Sequence, residues 1–112
     1  MLPRINRIKN KKDFEAIFKN SKSFKNSFFI FKIAKSNLGF NRFGFVVSQK
    51  VSKKAVVRNK VRRRLVEAVK SESKDANGGK DVVIIALPRI AEADFWEIKE
   101  AVKSMLTKTG LN

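Results

Sequence analysis

The sequence predicts an α+β fold, an α-β sandwich in which three helices pack on a sheet of about four strands. Two segments rich in aromatic and β-branched residues, 28–34 and 81–87, indicate strands. Between them lies a long amphipathic stretch, 54–71, whose apolar residues recur at helical spacing. The order of helix, strands, helix, strand and helix is typical of helices packed on one sheet. With 112 residues, the chain is long enough for one hydrophobic core, so we expect a single domain over 1–112.

The first half of the chain predicts one helix and two strands. Residues 1–10 form a basic lead-in, and apolar residues at helical spacing predict a helix over 11–20. The polar segment 21–26 ends this helix. The strand at 28–34 follows, and a second strand is predicted over 42–47, where apolar residues alternate along one face.

The second half predicts two helices separated by a buried strand. The long helix covers 54–71, and the Asn-Gly-Gly chemistry within 75–80 predicts a turn. The continuously apolar strand at 81–87 ends at a proline, and a final helix is expected over 91–107. The strand–helix–strand unit should be a crossover connection, which is right-handed in most proteins.

The positive charge of the chain is concentrated in its first 70 residues. The formal net charge is +16, and residues 1–70 hold 20 Lys and Arg side chains against three acids. Residues 71–112 hold six basic side chains against seven acids. Such a concentrated field attracts polyanions and makes binding depend strongly on salt. RNA, DNA and an anionic membrane surface all fit this charge.

The absence of two residue types narrows the chemistry. The chain contains no cysteine and no histidine. It therefore has no disulfide and no thiolate metal site, and it lacks the commonest metal ligand and general base. No apolar run approaches the roughly 20 residues that span a bilayer, and the lead-in lacks the apolar core of a secretion signal. We expect a cytoplasmic protein with no catalytic residue and no metal ligand of its own.

The segment 50–70, a loop and a helix, carries the strongest functional signal. Basic side chains flank an apolar helical stripe on both sides, and Glu67 is the only acid between Glu15 and Glu72. Like charges at i,i+4 repel each other, so a polyanion that supplies counter-charges would stabilise this helix. A solvated helix usually mixes charge signs. The pattern therefore favours a nucleic-acid surface over a solvated, calmodulin-type or membrane-surface helix.

Several motifs in the chain resemble those of the bacterial ribonuclease P protein subunits. The segment Val47-Ser48-Gln49-Lys50-Val51, followed by KKAVVRNKVRRRL over 53–65, resembles the Arg-Asn-Arg region of that family. Further similarity, in the same order along the chain, covers Asn6-Arg7-Ile8, Asp13-Phe14 with Phe18, Phe43-Gly44-Phe45, and DVVIIA over 81–86.

This resemblance implies a non-catalytic subunit of an RNA enzyme. In the family, the RNA hydrolyses the phosphodiester that joins the 5′ leader to precursor tRNA, and the protein clamps the leader. The implied partners are the catalytic RNA and precursor tRNA, with Mg²⁺ in the holoenzyme; no membrane and no protein oligomer is required. The implied fold is similar to the second domain of a small-subunit ribosomal protein, with a left-handed βαβ crossover.

The resemblance also assigns two binding surfaces to residues of this chain. Strand periodicity leaves open whether Phe29 and Phe31 or Phe28 and Ile30 line a groove, and the resemblance favours the first pair. The residues expected to bind the catalytic RNA are Lys50, Lys53, Lys54, Arg58, Asn59, Lys60, Arg62 and Arg63. Those expected to bind the leader of precursor tRNA are Arg7, Phe14, Phe18, Phe29, Phe31 and Lys32.

Two positions depart from the family pattern. Lys60 stands where the central motif usually has arginine. A lysine lacks the planar guanidinium group with which arginine forms two parallel hydrogen bonds to a phosphate. Val66 stands where a basic residue is common, and the helical wheel places it away from the apolar face. Three alternatives to this function remain: a ribosomal or other structured-RNA-binding protein without a processing role, a DNA-binding architectural protein and, last, a membrane-surface protein.

Overall fold

The computed structural model describes residues 11–36, 39, 41–72 and 79–110. The basic lead-in at 1–10, and with it Arg7, lies outside the described residues, as does most of the turn predicted at 75–80.

Three α-helices and four strands make up the described part of the chain. They follow in the order α1 (Lys11–Asn20), β1 (Lys22–Lys25), β2 (Phe29–Lys35), β3 (Arg42–Val46), α2 (Ala55–Glu72), β4 (Lys80–Ala86) and α3 (Phe95–Thr109). The α+β fold class is confirmed. The final helix begins later than predicted because Pro88–Glu92 forms a short 3₁₀ helix. Asp94 then caps α3: its carboxylate accepts the Glu97 N–H at 2.8 Å.

Strand β4 lies inside a mixed sheet of order β1-β2-β4-β3. It pairs antiparallel with β2 on one side and parallel with β3 on the other. Helix α2 therefore connects two neighbouring parallel strands, as the predicted crossover requires. The left hand of this crossover stays a prediction.

The strand β1 is an element that the sequence pattern missed, since its residues were assigned to a polar break. Its four residues pair with β2, and Phe24 lies opposite Phe31. The Asn26 Oδ1 atom accepts hydrogen bonds from the backbone N–H groups of Phe28 (2.8 Å) and Phe29 (2.9 Å). This side-chain turn closes the hairpin and sets its register.

The two faces of the sheet pack against different helices. On one face, α2 and α3 cover the main core, which contains Phe29, Phe31, Leu65, Ile84, Ile98 and Leu106. On the other face, α1 packs Ile17 against Val83. Because α1 has only ten residues, it contributes a much smaller apolar cluster than α2 and α3 do.

The ends of β2, β3 and β4 are fixed by polar contacts. Arg42 and Asp81 form a two-bond ion pair across β3 and β4, with N···O distances of 2.9 and 2.8 Å. The buried Asn41 accepts the backbone N–H of Lys80 at 3.0 Å, and the Ser36 N–H donates to the carbonyl of Gly79 at 2.8 Å. The Arg42 and Asn41 contacts hold the start of β3 beside the start of β4, and the Ser36 contact holds the end of β2 there.

Candidate nucleic-acid interface

The loop before α2 presents Lys50 on an anchored turn. Val47 and Val51 are both buried in the main core. Between them, the Val51 N–H donates to the carbonyl of Ser48 at 3.1 Å, and the Lys50 N–H donates to the Ser48 hydroxyl at 3.3 Å. The Lys50 side chain is exposed at this turn. The two buried valines thus fix where its charge lies.

Arg58 organises the start of α2. Its Nη1 atom donates to the carbonyls of Ser52 (3.0 Å) and Lys53 (2.9 Å), one turn before it. The Lys54 carbonyl accepts the first helical hydrogen bond, from the Arg58 N–H at 3.2 Å. Arg58 therefore closes the loop onto the helix, which holds the exposed Lys53 and Lys54 in place.

The amino-terminal end of α2 concentrates positive potential. The first turn of α2 contains no acidic residue, while Lys53 and Lys54 immediately precede the helix. The helix dipole adds partial positive charge at the same end, where backbone N–H groups lack helical partners. Phosphate groups bind well at such ends.

The outer face of α2 extends this positive surface. Asn59, Lys60, Arg62 and Arg63 are all exposed. Within the described residues, no hydrogen bond or ion pair engages their side chains. We call the eight residues the α2 basic surface: Lys50, Lys53, Lys54, Arg58, Asn59, Lys60, Arg62 and Arg63. The structure brings all eight together on α2 and the loop before it.

Three other residues of α2 have an exposure or a contact that the sequence analysis does not predict. Val66 is partly buried against the main core, so the prediction that it points away from the apolar surface is wrong. The Nη1 atom of Arg64 donates to the carbonyl of Ala93 at 2.9 Å and so ties α2 to the segment before α3. Val56, for which the sequence pattern predicts no role, is 77% exposed in the first turn of α2, which also contains Arg58 and follows Lys53 and Lys54. Its wheel position, opposite the apolar stripe, could have identified it.

The face of the sheet that carries α1 holds a second candidate surface. Phe14 is partly buried against the Ile17–Val83 cluster, and Phe18, one turn later on α1, is 44% exposed. The Lys32 Nζ atom donates to the Ser23 hydroxyl at 2.8 Å, which fixes the lysine across β1 and β2. Alternation along β2 places Lys32 on the same face as α1, opposite to the face of Phe29 and Phe31.

Phe29 and Phe31 do not belong to this second surface, and their prediction as leader contacts is wrong. Both side chains are 0% exposed and lie in the main core under α2 and α3. Their rings stack on each other, with centroids 5.2 Å apart. A fully buried ring offers no face to a nucleotide base. Ile30, which points to the opposite face, is only partly buried and pairs across the sheet with Ile85.

We define the α1 groove by six of the described residues on this face. They are Phe14 and Phe18 on α1, Ile30 and Lys32 on β2, Val46 on β3 and Ile85 on β4. Of the alternative pair Phe28 and Ile30, the β2 register places Ile30 here. Arg7 lies outside the described residues.

Three carboxylates of the second half, Glu72, Asp94 and Glu97, contribute to capping or linking the helices. The Glu97 carboxylate accepts the Asp94 N–H at 3.2 Å and completes a capping box at α3. Glu72 approaches Lys99 at 3.8 Å and links α2 to α3. Within the described ranges, no group of three or more carboxylates is placed to hold a metal ion. No helix there has the length and apolar content to cross a bilayer.

Comparison with known proteins identifies relatives over nearly the whole chain. The family model described as Ribonuclease P matches residues 2–110. The ribonuclease P protein component of Thermoanaerobacter sp. (strain X514) is 38% identical over 111 residues, covering 99% of this chain and 95% of that protein. The corresponding protein of Clostridioides difficile (strain 630) is 33% identical over 106 residues, covering 94% of this chain and 92% of that protein.

Solved structures of ribonuclease P proteins that are 28% and 31% identical to this chain have the same fold as it does. The ribonuclease P protein of Staphylococcus aureus superposes with a TM-score of 0.84 at 28% identity, covering 95% of this chain and 96% of that one. The protein from Thermotoga maritima gives a TM-score of 0.78 at 31% identity, covering 91% and 96%. The sequence match, the fold and the basic helix agree, and the chain belongs to the ribonuclease P protein family, as a protein subunit of this tRNA-processing ribonucleoprotein endoribonuclease.

Proposed function

We propose that the chain binds the catalytic RNA of ribonuclease P through the α2 basic surface. The observation that carries this proposal is the cluster of exposed cations at the start of α2, where the first turn has no acid to neutralise them. Lysine and arginine side chains at a helix amino terminus can bind phosphates, and Asn59 can bind a phosphate or a 2′-hydroxyl. Arg58 supports this surface by its bonds to Ser52 and Lys53.

The α1 groove is the proposed site for the 5′ leader of precursor tRNA. A single-stranded leader needs aromatic faces for its bases and cations beside its backbone. The exposed ring of Phe18 and the fixed ammonium of Lys32 meet these two needs. Ile30, Val46 and Ile85 supply a partly exposed apolar floor. The groove thus binds a strand by its shape and charge and needs no particular base sequence.

In this proposal the bond-breaking step belongs to the RNA. The protein has neither histidine nor cysteine, and Asp94 and Glu97 are engaged in capping α3. Mg²⁺ bound to the RNA in the holoenzyme would supply an activated water and stabilise developing negative charge. The protein neutralises phosphates and holds the leader, so that substrate and RNA assemble at a lower Mg²⁺ concentration. The proposed compartment is the cytoplasm, where tRNA precursors are made in bacteria.

Leader removal by the catalytic RNA at limiting Mg²⁺ tests this function. We expect the chain to lower the Mg²⁺ concentration needed for cleavage of precursor tRNA. The variant Arg62→Ala should weaken assembly with the catalytic RNA, whether or not substrate is present. Arg89→Ala, an exposed arginine on the 3₁₀ helix, is the matched control and should assemble normally.

Two results would contradict the proposal. An unchanged Mg²⁺ requirement with and without the chain would remove the processing role and favour another structured-RNA-binding protein. Equal loss of assembly in Arg62→Ala and in Arg89→Ala would show that only net charge matters, since the two arginines differ only in location.

A further inference from the structure

A cavity of about 520 Å³ lies at the end of the sheet where β1 and β4 begin and β2 ends. Three of its lining residues are lysines, Lys22, Lys35 and Lys80, and Phe24 and Ile33 add apolar surface. None of the described residues that line it is acidic. We call it the lysine cavity. It shares no residue with the α2 basic surface or with the α1 groove.

The pairing of β2 with β4 places two of these lysines directly opposite each other. Lys35 and Lys80 are direct partners in the antiparallel ladder of β2 and β4. Like charges placed directly opposite each other destabilise a sheet. The end of β2 cannot separate easily from the start of β4, because the Ser36 N–H donates to the carbonyl of Gly79 directly beyond this pair. The fold therefore maintains an unfavourable pair at the mouth of a cavity.

No counter-charge compensates this pair within the described residues. Neither Lys22, Lys35 nor Lys80 forms an ion pair or a side-chain hydrogen bond there. Asp81 follows Lys80 directly, but both of its carboxylate oxygens bind Arg42. Three ammonium groups that line one cavity, without a carboxylate, are suited to an anion.

We infer that the lysine cavity binds a nucleotide, with its phosphate among the three ammonium groups and its base against Phe24. The volume lies within the range of about 300–1,000 Å³ that is usual for small-molecule sites. Phe24 is only partly buried, so part of its ring is available to a base. The nucleotide is either a free nucleoside phosphate or one unit of an RNA strand, since both offer the same chemistry. This inference does not depend on the two proposed RNA surfaces.

Binding is tested on the full chain, isotopically labelled, by NMR at constant ionic strength. The probes are inorganic phosphate, adenosine monophosphate and hexa-adenylate RNA. We expect phosphate to shift the signals of Lys22, Lys35 and Lys80 selectively. Adenosine monophosphate should also shift Phe24 and Ile33. Tighter binding of hexa-adenylate than of the monophosphate at these signals identifies an RNA strand as the source, and equal binding identifies the free nucleotide.

Variants inside and outside the cavity distinguish a specific binding site from general attraction between opposite charges. In Lys35→Gln and in Lys80→Gln, the affinity for adenosine monophosphate should fall by about tenfold, the loss expected for one charged hydrogen bond. Both variants should unfold at or above the wild-type temperature, because each removes the like-charge opposition. Lys103→Gln, an exposed lysine of α3 outside the cavity, should leave the affinity unchanged.

The outcomes that overturn the inference differ from those that test the RNA-binding function. Absence of shifts at the three lysines, or equal shifts at all lysines of the chain, overturns the lysine cavity as a site. Equal weakening in Lys103→Gln does the same. Assembly with the catalytic RNA is measured on the same variants, and normal assembly with lost nucleotide binding supports a separate site. Intact nucleotide binding in both Lys35→Gln and Lys80→Gln also overturns the inference, whether or not assembly is lost.

Discussion

Phe18 gives the sharpest test of the α1 groove at the scale of one residue. It is 44% exposed on α1, so its removal leaves no large cavity in the core. If a leader base stacks on its ring, Phe18→Ala should weaken the binding of precursor tRNA by about 1–3 kcal/mol, or roughly 5- to 150-fold. Binding of mature tRNA, which has no leader, should not change. Equilibrium binding of both RNAs to the reconstituted holoenzyme measures this difference.

Trp96→Ala is the matched control for Phe18. Trp96 is another exposed aromatic residue, 68% accessible, and it lies on α3 on the other side of the sheet. Its side chain contacts Phe95 and the Lys99 ammonium but no residue of the groove. If Phe18→Ala and Trp96→Ala changed the affinities for precursor tRNA and for mature tRNA to the same extent, leader stacking on Phe18 would be contradicted.

Replacement of Phe31 should reduce the stability of the protein, whereas replacement of Phe18 should reduce leader binding. Its side chain is 0% exposed and stacks on Phe29 inside the main core. Phe31→Ala should lower the free energy of unfolding by about 3–5 kcal/mol, as large-to-small changes of buried phenylalanines do. Urea denaturation measures this loss. A stable Phe31→Ala variant with a selective defect in leader binding would instead place Phe31 in the groove.

At the scale of the element, the positive charge at the amino terminus of α2 lowers the stability of the helix. Lys54 immediately precedes the helix, where aspartate or serine would normally cap the free N–H groups. Lys54→Asp should raise the free energy of unfolding of the free protein by about 1 kcal/mol. The same change should weaken binding to the catalytic RNA, because a carboxylate repels phosphate. Thermal unfolding and RNA titration measure the two effects.

Lys103→Asp makes the same change of charge on α3, away from the α2 basic surface. It should produce neither the gain in stability at α2 nor a comparable loss of RNA binding. If Lys54→Asp destabilised the free protein, or bound RNA as tightly as the wild type, the opposition between stability and binding at this helix end would be refuted.

Elements with a strong periodic pattern could be predicted from the sequence, and elements that depend on a neighbour could not. The predicted α1 agrees with Lys11–Asn20, and the predicted α2 differs from Ala55–Glu72 by one residue at each end. The polar β1, KSFK, forms because β2 offers it hydrogen bonds and Asn26 closes the turn. No local pattern in four mostly polar residues contains that information.

The two candidate surfaces were predictable to different degrees for a similar reason. All eight residues of the α2 basic surface lie on one helix and its preceding loop, so local spacing brings them together. The α1 groove depends on which face of the sheet α1 covers. Alternation along β2 separates Phe29 and Phe31 from Ile30 and Lys32, but only the packing of α2 and α3 decides which pair is buried. The structural use of Arg58 also depends on backbone carbonyls that no sequence pattern displays.

For the whole molecule, the separation of charge predicts a strong effect of salt on RNA binding. If about six phosphates are neutralised, the logarithm of the affinity should fall with the logarithm of salt concentration at a slope of about −4 to −5. Arg62→Ala should reduce this slope by about one unit, since one phosphate contact is lost. Filter-binding titrations over a range of KCl concentrations measure the slope. A slope near zero would exclude phosphate neutralisation as the source of affinity.

The position of β4 inside the sheet has a consequence for how the chain is made. Strands β2 and β3 are not neighbours, and each pairs with β4, which lies at residues 80–86. During synthesis, β3 therefore has no strand to join until the ribosome has released residue 86. By then the first 70 residues, with their 20 basic side chains, have already emerged. The nascent chain thus carries nearly all its positive charge in an unfinished fold, within reach of the ribosome's own RNA.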